Sequence, residues 1–306
     1  MNQKMREMEM NILPETKILL EDSVEMKDIL VPQRLLNKVN KLEEIGESFL
    51  IRQGAIPTWT YQQDLQQLEM QSLPNQFQGT PQMQEKYNKW LQKEIQQWIV
   101  IGLLSVKVLN GTFLVPRSDG RLRKILNCRM VNSVTMNQKF QLNDMEHLRQ
   151  LIQPEDFATT LDIRDAYHHV NVHSSLRPYF GFAFHDRMYI YAGLPFGWNR
   201  SLYTFTKTLS VCIQQIRKRW KEKITSYIDD ILLLHPVKQE LQTMIKQIAQ
   251  FLKDLGWGLA PEKCRMIPHQ RFKYLGWQWN TATMDVQMPA PRRKIMKTLV
   301  NNWLEA

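Results

Sequence analysis

The sequence predicts an α+β fold in which helices pack on a small antiparallel sheet. Two observations carry that expectation. Apolar side chains make up 43% of the 306 residues, enough for a packed core. From Phe157 onward, short apolar runs of strand character alternate with longer runs of helical period.

The first 81 residues differ from the rest, being rich in Met, Gln and Glu. Leu35, Leu36, Val39, Leu42, Ile45 and Phe49 recur at helical spacing and predict one amphipathic helix ending near Gly54. Between Gln71 and Gln84, Pro74, Gly79 and Pro81 read as a linker. The composition of this extension suits a docking surface or a layer packed on the neighbouring part of the chain. A second helix is expected over Gln84 to Ile101, with Trp90, Leu91, Ile95, Trp98 and Ile99 on one face and Gly102 at its end.

The period then changes. Leu103 to Leu109 and Thr112 to Val115 read as strands joined by Asn110-Gly111, a two-residue hairpin signal. Ser118-Asp119-Gly120 marks a tight turn into a strand from Arg121 to Asn127. Phe157 to Ile163 and the stretch around Tyr179 to Phe184 read as strands. Ser201 is a good N-cap for a helix burying Leu202, Phe205, Leu209, Ile213 and Ile216. Ile224 to Leu234 is apolar around two aspartates. An amphipathic helix covers Val237 to Leu255 and closes at Gly256, and Phe272 to Trp279 reads as a final hairpin.

Forty Lys and Arg against thirty Asp and Glu give a formal charge of +10, which favours polyanionic partners. No run of about 18 apolar residues occurs, so no membrane-spanning helix is expected. Met1 to Met10 lacks the apolar core of a signal peptide. Cys128, Cys212 and Cys264 are far apart and in no Cys-x-x-Cys pattern, against a disulfide framework or a zinc site. A reducing intracellular setting, cytoplasm or nucleus, fits best.

The chemistry is concentrated in two acidic clusters. Tyr227-Ile228-Asp229-Asp230 sets adjacent carboxylates inside an apolar run, and burying charge is costly unless it is paired or metal-bound. Asp162 and Asp165 lie at the end of another expected strand, Leu161-Asp162-Ile163-Arg164-Asp165-Ala166-Tyr167. If the two strands are neighbours, Asp162, Asp229 and Asp230 converge and repel one another unless divalent cations sit between them. Hard oxygen ligands of this kind select magnesium. His168 and His169 follow in strand-like sequence, so one should face outward, and neither reads as a metal ligand. The basic run Arg217-Lys218-Arg219-Trp220-Lys221 reads as a charged helix end.

From Leu91 to about Pro291 the sequence resembles the reverse transcriptase family. Its Tyr-x-Asp-Asp hairpin and the preceding Asp-x-x-Asp-Ala-Tyr segment both stand here in order. Leu114-Val115-Pro116-Arg117 with Asp119-Gly120-x-x-Arg123 resembles the loop that grips the triphosphate. Gly193-Leu194-Pro195-Phe196-Gly197 resembles the segment facing the nascent pair. Leu255-Gly256-Trp257, Pro261-Glu262-Lys263 and Tyr274-Leu275-Gly276-Trp277 are similar to the family's last two motifs, the final one being the primer grip. Phe205-Thr206-Lys207, with Tyr274-Leu275-Gly276-Trp277 and Met288-Pro289 downstream, makes the sequence most similar to DIRS-type retrotransposons. Asn127, Leu202 and Phe196 depart from residues common in relatives, and none of them is a metal ligand.

The resemblance implies a right-hand polymerase fold. It divides the chain into an extension (1–81), fingers (82–136), palm (137–169), fingers again (170–200), palm (201–282) and the start of a thumb (283–306). It implies template-directed DNA synthesis from deoxynucleoside triphosphates on an RNA or DNA template–primer. Two Mg2+ ions, with Mn2+ as an alternative, would sit on Asp162, Asp229, Asp230 and the carbonyl of Ile163. Lys263 would be the general acid. Arg117, Arg123, Asp165, Ala166, Tyr167, Phe196 and Gly197 would form the nucleotide site, with Tyr167 beneath the ribose excluding a 2′-hydroxyl. Tyr227, Leu275, Gly276 and Trp277 would face the primer. RNase H, recombinase or integrase domains of a polyprotein would be further partners. Two rival readings are an RNA-dependent RNA polymerase and a catalytically silent, retroelement-derived nucleic-acid-binding protein or fragment.

Overall fold

A computed structural model describes residues 19–22, 27, 29–46, 49–70, 76–116 and 122–304. The expected single helix ending near Gly54 is instead broken into α1 (Arg34–Asn37), α2 (Val39–Glu44) and α3 (Phe49–Gln53). Lys38 leaves helical geometry at φ −109°, ψ 16°, and Gly46 and Gly54 take positive φ. The register is therefore lost, and Phe49, expected on the buried face, is 66% exposed. α4 (Gln62–Met70) follows. Pro74 lies outside the described residues.

α5 (Pro81–Gln96) starts three residues earlier than the periodicity suggests, because Pro81 occupies its first turn and Thr80 caps it, accepting from the Met83 amide at 3.3 Å. It also ends earlier. Trp98 turns to φ +55° and is half exposed, and Val100 enters a strand. The buried stripe of α5 is Tyr87, Leu91 and Glu94.

β1 (Val100–Leu103) joins β5 (Gly181–Phe184) and β6 (Arg187–Tyr191) in one sheet of order β1-β6-β5. The Asn110-Gly111 hairpin does not form. The Asn110 side chain donates to the carbonyls of Tyr179 and Gly181 at 2.9 and 3.0 Å, tying this segment to the start of β5. The hairpin here is the next one, β2 (Thr112–Pro116) against β3 (Leu122–Leu126). Its tip, with Arg117, Asp119 and Gly120, lies outside the described residues.

The second sheet has order β7-β8-β4-β9, from β4 (Phe157–Asp162), β7 (Lys223–Tyr227), β8 (Asp230–His235) and β9 (Arg265–His269). α6 (Arg129–Ser133) and α7 (Met145–Leu151) lead into β4. α8 (Ser201–Trp220) and α9 (Lys238–Asp254) bury the expected apolar faces against the main core. Ser201 is the first helical residue rather than the cap, and its hydroxyl donates to the Pro195 carbonyl at 2.8 Å. A third sheet, β10 (Arg271–Tyr274), β11 (Trp277–Asn280) and β12 (Asp285–Gln287), packs on a smaller cluster beside β8. α10 (Ala290–Leu304) buries no side chain. Among the described residues no helix is long and apolar enough to cross a membrane. The three cysteines are buried and form no disulfide.

Candidate active site

The register of the β4–β8 ladder sets Asp162 directly opposite Asp230. Directly opposed residues carry their side chains on one face, with Cβ atoms about 5 Å apart. Tyr227 pairs with Asp230, so Ile228 and Asp229 form the two-residue turn between β7 and β8. Ile228 stands at φ +56°, a region that a β-branched residue enters at a cost of about 1–3 kcal/mol. The Ile163 amide donates to the Asp229 carbonyl at 3.0 Å, closing the end of β4 onto this turn. Asp162, Asp229 and Asp230 are thus brought to one end of the sheet.

Residues 258–264 run across the end of β4. The Ala260 amide donates to the Asp162 carbonyl and the Arg164 amide to the Gly258 carbonyl, both at 2.9 Å. That path carries Lys263 over Asp162, where its Nζ donates to both carboxylate oxygens at 2.8 and 2.9 Å. Burial nevertheless pushes the Asp162 carboxyl up to about 8; the Lys263 charge opposes the rise, and Asp229 and Asp230 add to it. Partial loss of hydration and the charge of Asp229 raise Asp230 as well.

After Asp162 the chain leaves the sheet. Asp165 adopts left-handed geometry (φ 49°, ψ 33°), which Asp tolerates better than most residues, and opens a 3-10 turn over Ala166–His169. Both histidines point inward, because the turn replaces the expected strand alternation. His168 Nδ1 is 2.9 Å from the Leu194 carbonyl, and His169 Nε2 accepts from the Gly258 amide at 3.0 Å. Tyr167 is buried, its ring stacked on Phe196 at 4.6 Å. Burial pushes its hydroxyl up to about 12, helped by the charge of Asp229. The guanidinium of Arg123 lies over the other partner in this stack, 4.5 Å from the Phe196 ring centre.

Gly197 holds that arrangement together. It sits at φ +122°, where a Cβ would meet the Leu126 carbonyl oxygen at 1.9 Å. The Leu126 amide donates to the Phe196 carbonyl at 2.9 Å, so this segment and β3 are in backbone contact. A cleft with about 600 Å³ of empty space, counting the solvent at its mouth, opens between them. Arg123, Phe196, Asp165, Ala166, Asp229 and Lys263 line it, together with Ile163. Tyr167 lies beneath Phe196 and does not line the cleft.

The β10–β11 turn is Leu275-Gly276, both at positive φ (51° and 74°) as a tight hairpin requires. It is fastened to the acidic turn by Tyr274, whose hydroxyl donates to the Asp230 carbonyl at 3.0 Å. Tyr227, Leu275 and Trp277 pack on the same small cluster. Gly276 accepts from Arg292 at 3.3 Å, and the Arg292 guanidinium lies 5.5 Å from the Trp277 ring.

Sequence reasoning missed the floor of the cleft. Glu94 and Lys124 line it and form an ion pair whose side chains are 9% and 1% exposed. Lys124 also lies 4.4 Å from the Phe182 ring centre. The signal was present. Glu94 continues the Tyr87–Leu91 stripe of α5, and strand alternation turns Lys124 inward once Arg123 faces the cleft.

The donor set is all oxygen and suits a hard divalent cation. Among the described residues, no three acidic, His or Cys side chains close on one metal position as they stand. Magnesium accepts such an open set, since it keeps waters and draws ligands from substrate phosphates. The buried acid at Asp162, opposite Asp230 and next to Asp229, is the observation that fits a cation here.

Residues 115–279, more than half of the chain, match the family described as "Reverse transcriptase (RNA-dependent DNA polymerase)". The chain belongs to the reverse transcriptase family. Reverse transcriptases use divalent metal ions. The Gag-Pro-Pol polyprotein of human T-cell leukemia virus 3 (strain 2026ND) is 29% identical over 167 residues, covering 52% of this chain and 12% of the polyprotein. The Pol polyprotein of equine infectious anemia virus (isolate CL22) is 25% identical over 190 residues, 58% of this chain and 16% of that one. The foamy viral protease-reverse transcriptase dRH in complex with dsDNA matches with a TM-score of 0.66 at 16% identity, over 93% of this chain and 49% of that one. The foamy viral protease-reverse transcriptase in complex with an RNA/DNA hybrid matches with a TM-score of 0.63 at 15% identity, over 93% and 37%. This reverse transcriptase chain therefore has the right-hand polymerase fold and spans less than a fifth of the length of these polyproteins.

Proposed function

We propose that this chain extends a primer 3′-hydroxyl with deoxynucleoside triphosphates, using an RNA or DNA template. The single observation that carries the reading is the pairing of Asp162 with Asp230 across the β4–β8 ladder, with Asp229 in the adjoining turn. Carboxylates crowded in this way need a cation, and their sheet end opens on a cleft lined by Arg123 and Lys263.

In this reading Asp162, Asp229, Asp230 and the Ile163 carbonyl hold Mg2+, or Mn2+ in its place. The bound ions would activate the primer hydroxyl and neutralise charge on the departing pyrophosphate. Arg123, with Arg117, pairs with triphosphate oxygens from the fingers side. Asp165, Ala166, Phe196 and Gly197 shape the pocket for the incoming nucleotide, and Tyr167 supports it from beneath. Tyr167, stacked under Phe196, would set how deep the ribose can settle and so would exclude a 2′-hydroxyl. Lys263 Nζ gives a proton to the leaving pyrophosphate oxygen. Tyr227 and the Leu275-Gly276-Trp277 turn hold the primer end, and the bond from Tyr274 to Asp230 fixes its distance from the acids.

The division into an extension (1–81), fingers (82–136 and 170–200), palm (137–169 and 201–282) and the start of a thumb (283–306) belongs to the same proposal. It is supported by two separate sheets, β1-β6-β5 with the β2–β3 hairpin on one side and β7-β8-β4-β9 on the other. A DIRS-type retrotransposon origin is proposed on Phe205-Thr206-Lys207, Tyr274-Leu275-Gly276-Trp277 and Met288-Pro289. Activity inside the cell, and polyprotein partners carrying RNase H, recombinase or integrase domains, complete the reading.

The test is extension of a labelled primer on RNA and on DNA templates with Mg2+, comparing deoxynucleotides with ribonucleotides. Deoxynucleotide addition supports the proposal. Preferential ribonucleotide addition replaces it with an RNA polymerase. Tight template–primer binding without any addition replaces it with a binding protein.

A further inference from the structure

Arg164 stands between Asp162 of the acidic cluster and Asp165 of the nucleotide site, and its side chain turns away from the cleft. Its guanidinium meets Asp22, in the N-terminal extension, at 3.3 Å. The same Asp22 oxygen is 3.0 Å from Arg34, and the side chains of Asp22 and Arg34 are only 5% and 7% exposed. The segment from Leu19 to Asp22 is itself strapped down. Lys253, on α9, donates to the carbonyls of Leu19 and Glu21 at 2.7 and 2.5 Å. Gly256 and Gly258 let Arg34 approach. A Cβ on Gly256 would meet the Arg34 carbonyl oxygen at 2.5 Å, and one on Gly258 would meet Arg34 Nη1 at 3.0 Å.

The arrangement has a mechanical consequence. Asp162 is the last residue of β4 and is held by the ladder with β8. Beyond it, backbone bonds hold Ile163 to Asp229 and Arg164 to Gly258. Asp165 then breaks into left-handed geometry, and the turn that positions Ala166 and Tyr167 has left the sheet. The buried charge of Asp22 grips that exit through the Arg164 side chain. Among the described residues, Asp22 Oδ1 has no hydrogen-bond partner, so the whole interaction falls on its other oxygen.

We infer that Asp22 is a positioning residue for the nucleotide site, acting through Arg164 to hold the Asp165–Tyr167 turn in place. The extension is then a working part of the polymerase site. The inference rests on the proposed polymerase reading and assigns a role to a segment that lies outside the matched family region.

The experiment uses the full chain with Asp22→Asn, Asp22→Glu, Arg164→Gln and the Asp22→Asn/Arg164→Gln pair, with Glu43→Gln as an exposed-pair control. Primer extension and hydrogen exchange are both read. Asp22→Asn and Arg164→Gln each raise the deoxynucleotide KM about tenfold while kcat stays within about threefold, since misplacement of a substrate-positioning group is costly even when the chemistry is intact. The double variant is no worse than Asp22→Asn alone, because that change already breaks the Asp22–Arg164 link along with the Asp22–Arg34 one. Asp22→Glu restores part of the loss. Exchange quickens at amides 163–169 and is unchanged in the β10–β11 hairpin. An unchanged KM, additive losses, or a fall in kcat alone overturns the inference. Should Asp22→Asn fail to fold, Arg164→Gln, on a side chain 34% exposed, decides by the same readouts. A wild-type chain silent in extension counts against the polymerase reading instead. The exchange result then decides the grip by itself: faster at 163–169 supports it, and no change overturns it.

Discussion

The ammonium of Lys263 lies 2.8 Å from one carboxylate oxygen of Asp162 and 2.9 Å from the other. The contact follows from backbone geometry, since the Lys263 amide donates to Ala260 and the Ala260 amide to Asp162. With its side chain 29% exposed, Lys263 can turn from Asp162 into the cleft it lines. Lys263→Met should slow nucleotide addition by about 10²–10⁴-fold, the usual worth of a general acid. Template–primer affinity should be unchanged. Rapid-quench extension measures this, and full speed in the variant would remove Lys263 from the proton transfer.

Stability of the metal-free chain should fall as pH rises. Burial pushes the Asp162 carboxyl up to about 8 from an ordinary value of 3.8. A raised carboxyl favours the folded state fully below the unfolded value, and that contribution is lost as pH climbs towards 8. Thermal melting between about pH 4 and pH 9 should show the decline, and Asp162→Asn should flatten it. A wild-type profile with no slope in that window contradicts the assigned cause.

Gly197→Ala should destabilise the chain by about 3 kcal/mol or more, through strain at a positive-φ site and collision with the Leu126 carbonyl. The collision pushes Phe196 off β3 and away from Arg123. Urea unfolding measures the first effect, and a raised deoxynucleotide KM the second. Wild-type stability would mean that this segment is free to shift.

Tyr167→Val removes the ring stacked on Phe196 and lets Phe196 drop away from the cleft it lines. Ribonucleotide addition relative to deoxynucleotide addition should rise by about tenfold or more, as expected when a steric block is lost. Competition assays on one template give the ratio. An unchanged ratio would show that another residue selects the sugar.

The part of the fold built on strong local period was legible. β4, α8, β7, β8, α9 and the β10–β11 hairpin lie close to where periodicity and turn residues put them. The convergence of Asp162 with Asp229 and Asp230 was legible only on the condition that the two strands are neighbours, which the β4–β8 ladder supplies. The errors have local causes. One helix over Leu35 to Phe49 failed because Gly46 and a non-helical Lys38 break the register. Asn110-Gly111 has the composition of a hairpin, but the Asn110 side chain binds Tyr179 and Gly181, partners remote in sequence. His168 and His169 were read with the alternation of a strand, whereas the left-handed Asp165 starts a tight turn that buries both. Long-range charge pairs were the least visible. Asp22 with Arg164 leaves no periodic trace, because either partner alone reads as a solvated side chain, and the helical stripe that buries Glu94 does not name Lys124 as its partner.

In the proposed reaction Asp162, Asp229 and Asp230 together carry nucleotide addition. The most direct measurement is single-nucleotide extension of an annealed primer with Mg2+, in the wild-type chain and in Asp229→Ala, with template–primer affinity read in parallel. The account predicts addition by the wild type, no detectable addition by Asp229→Ala, and equal affinity in both. Addition that survives in Asp229→Ala would contradict it.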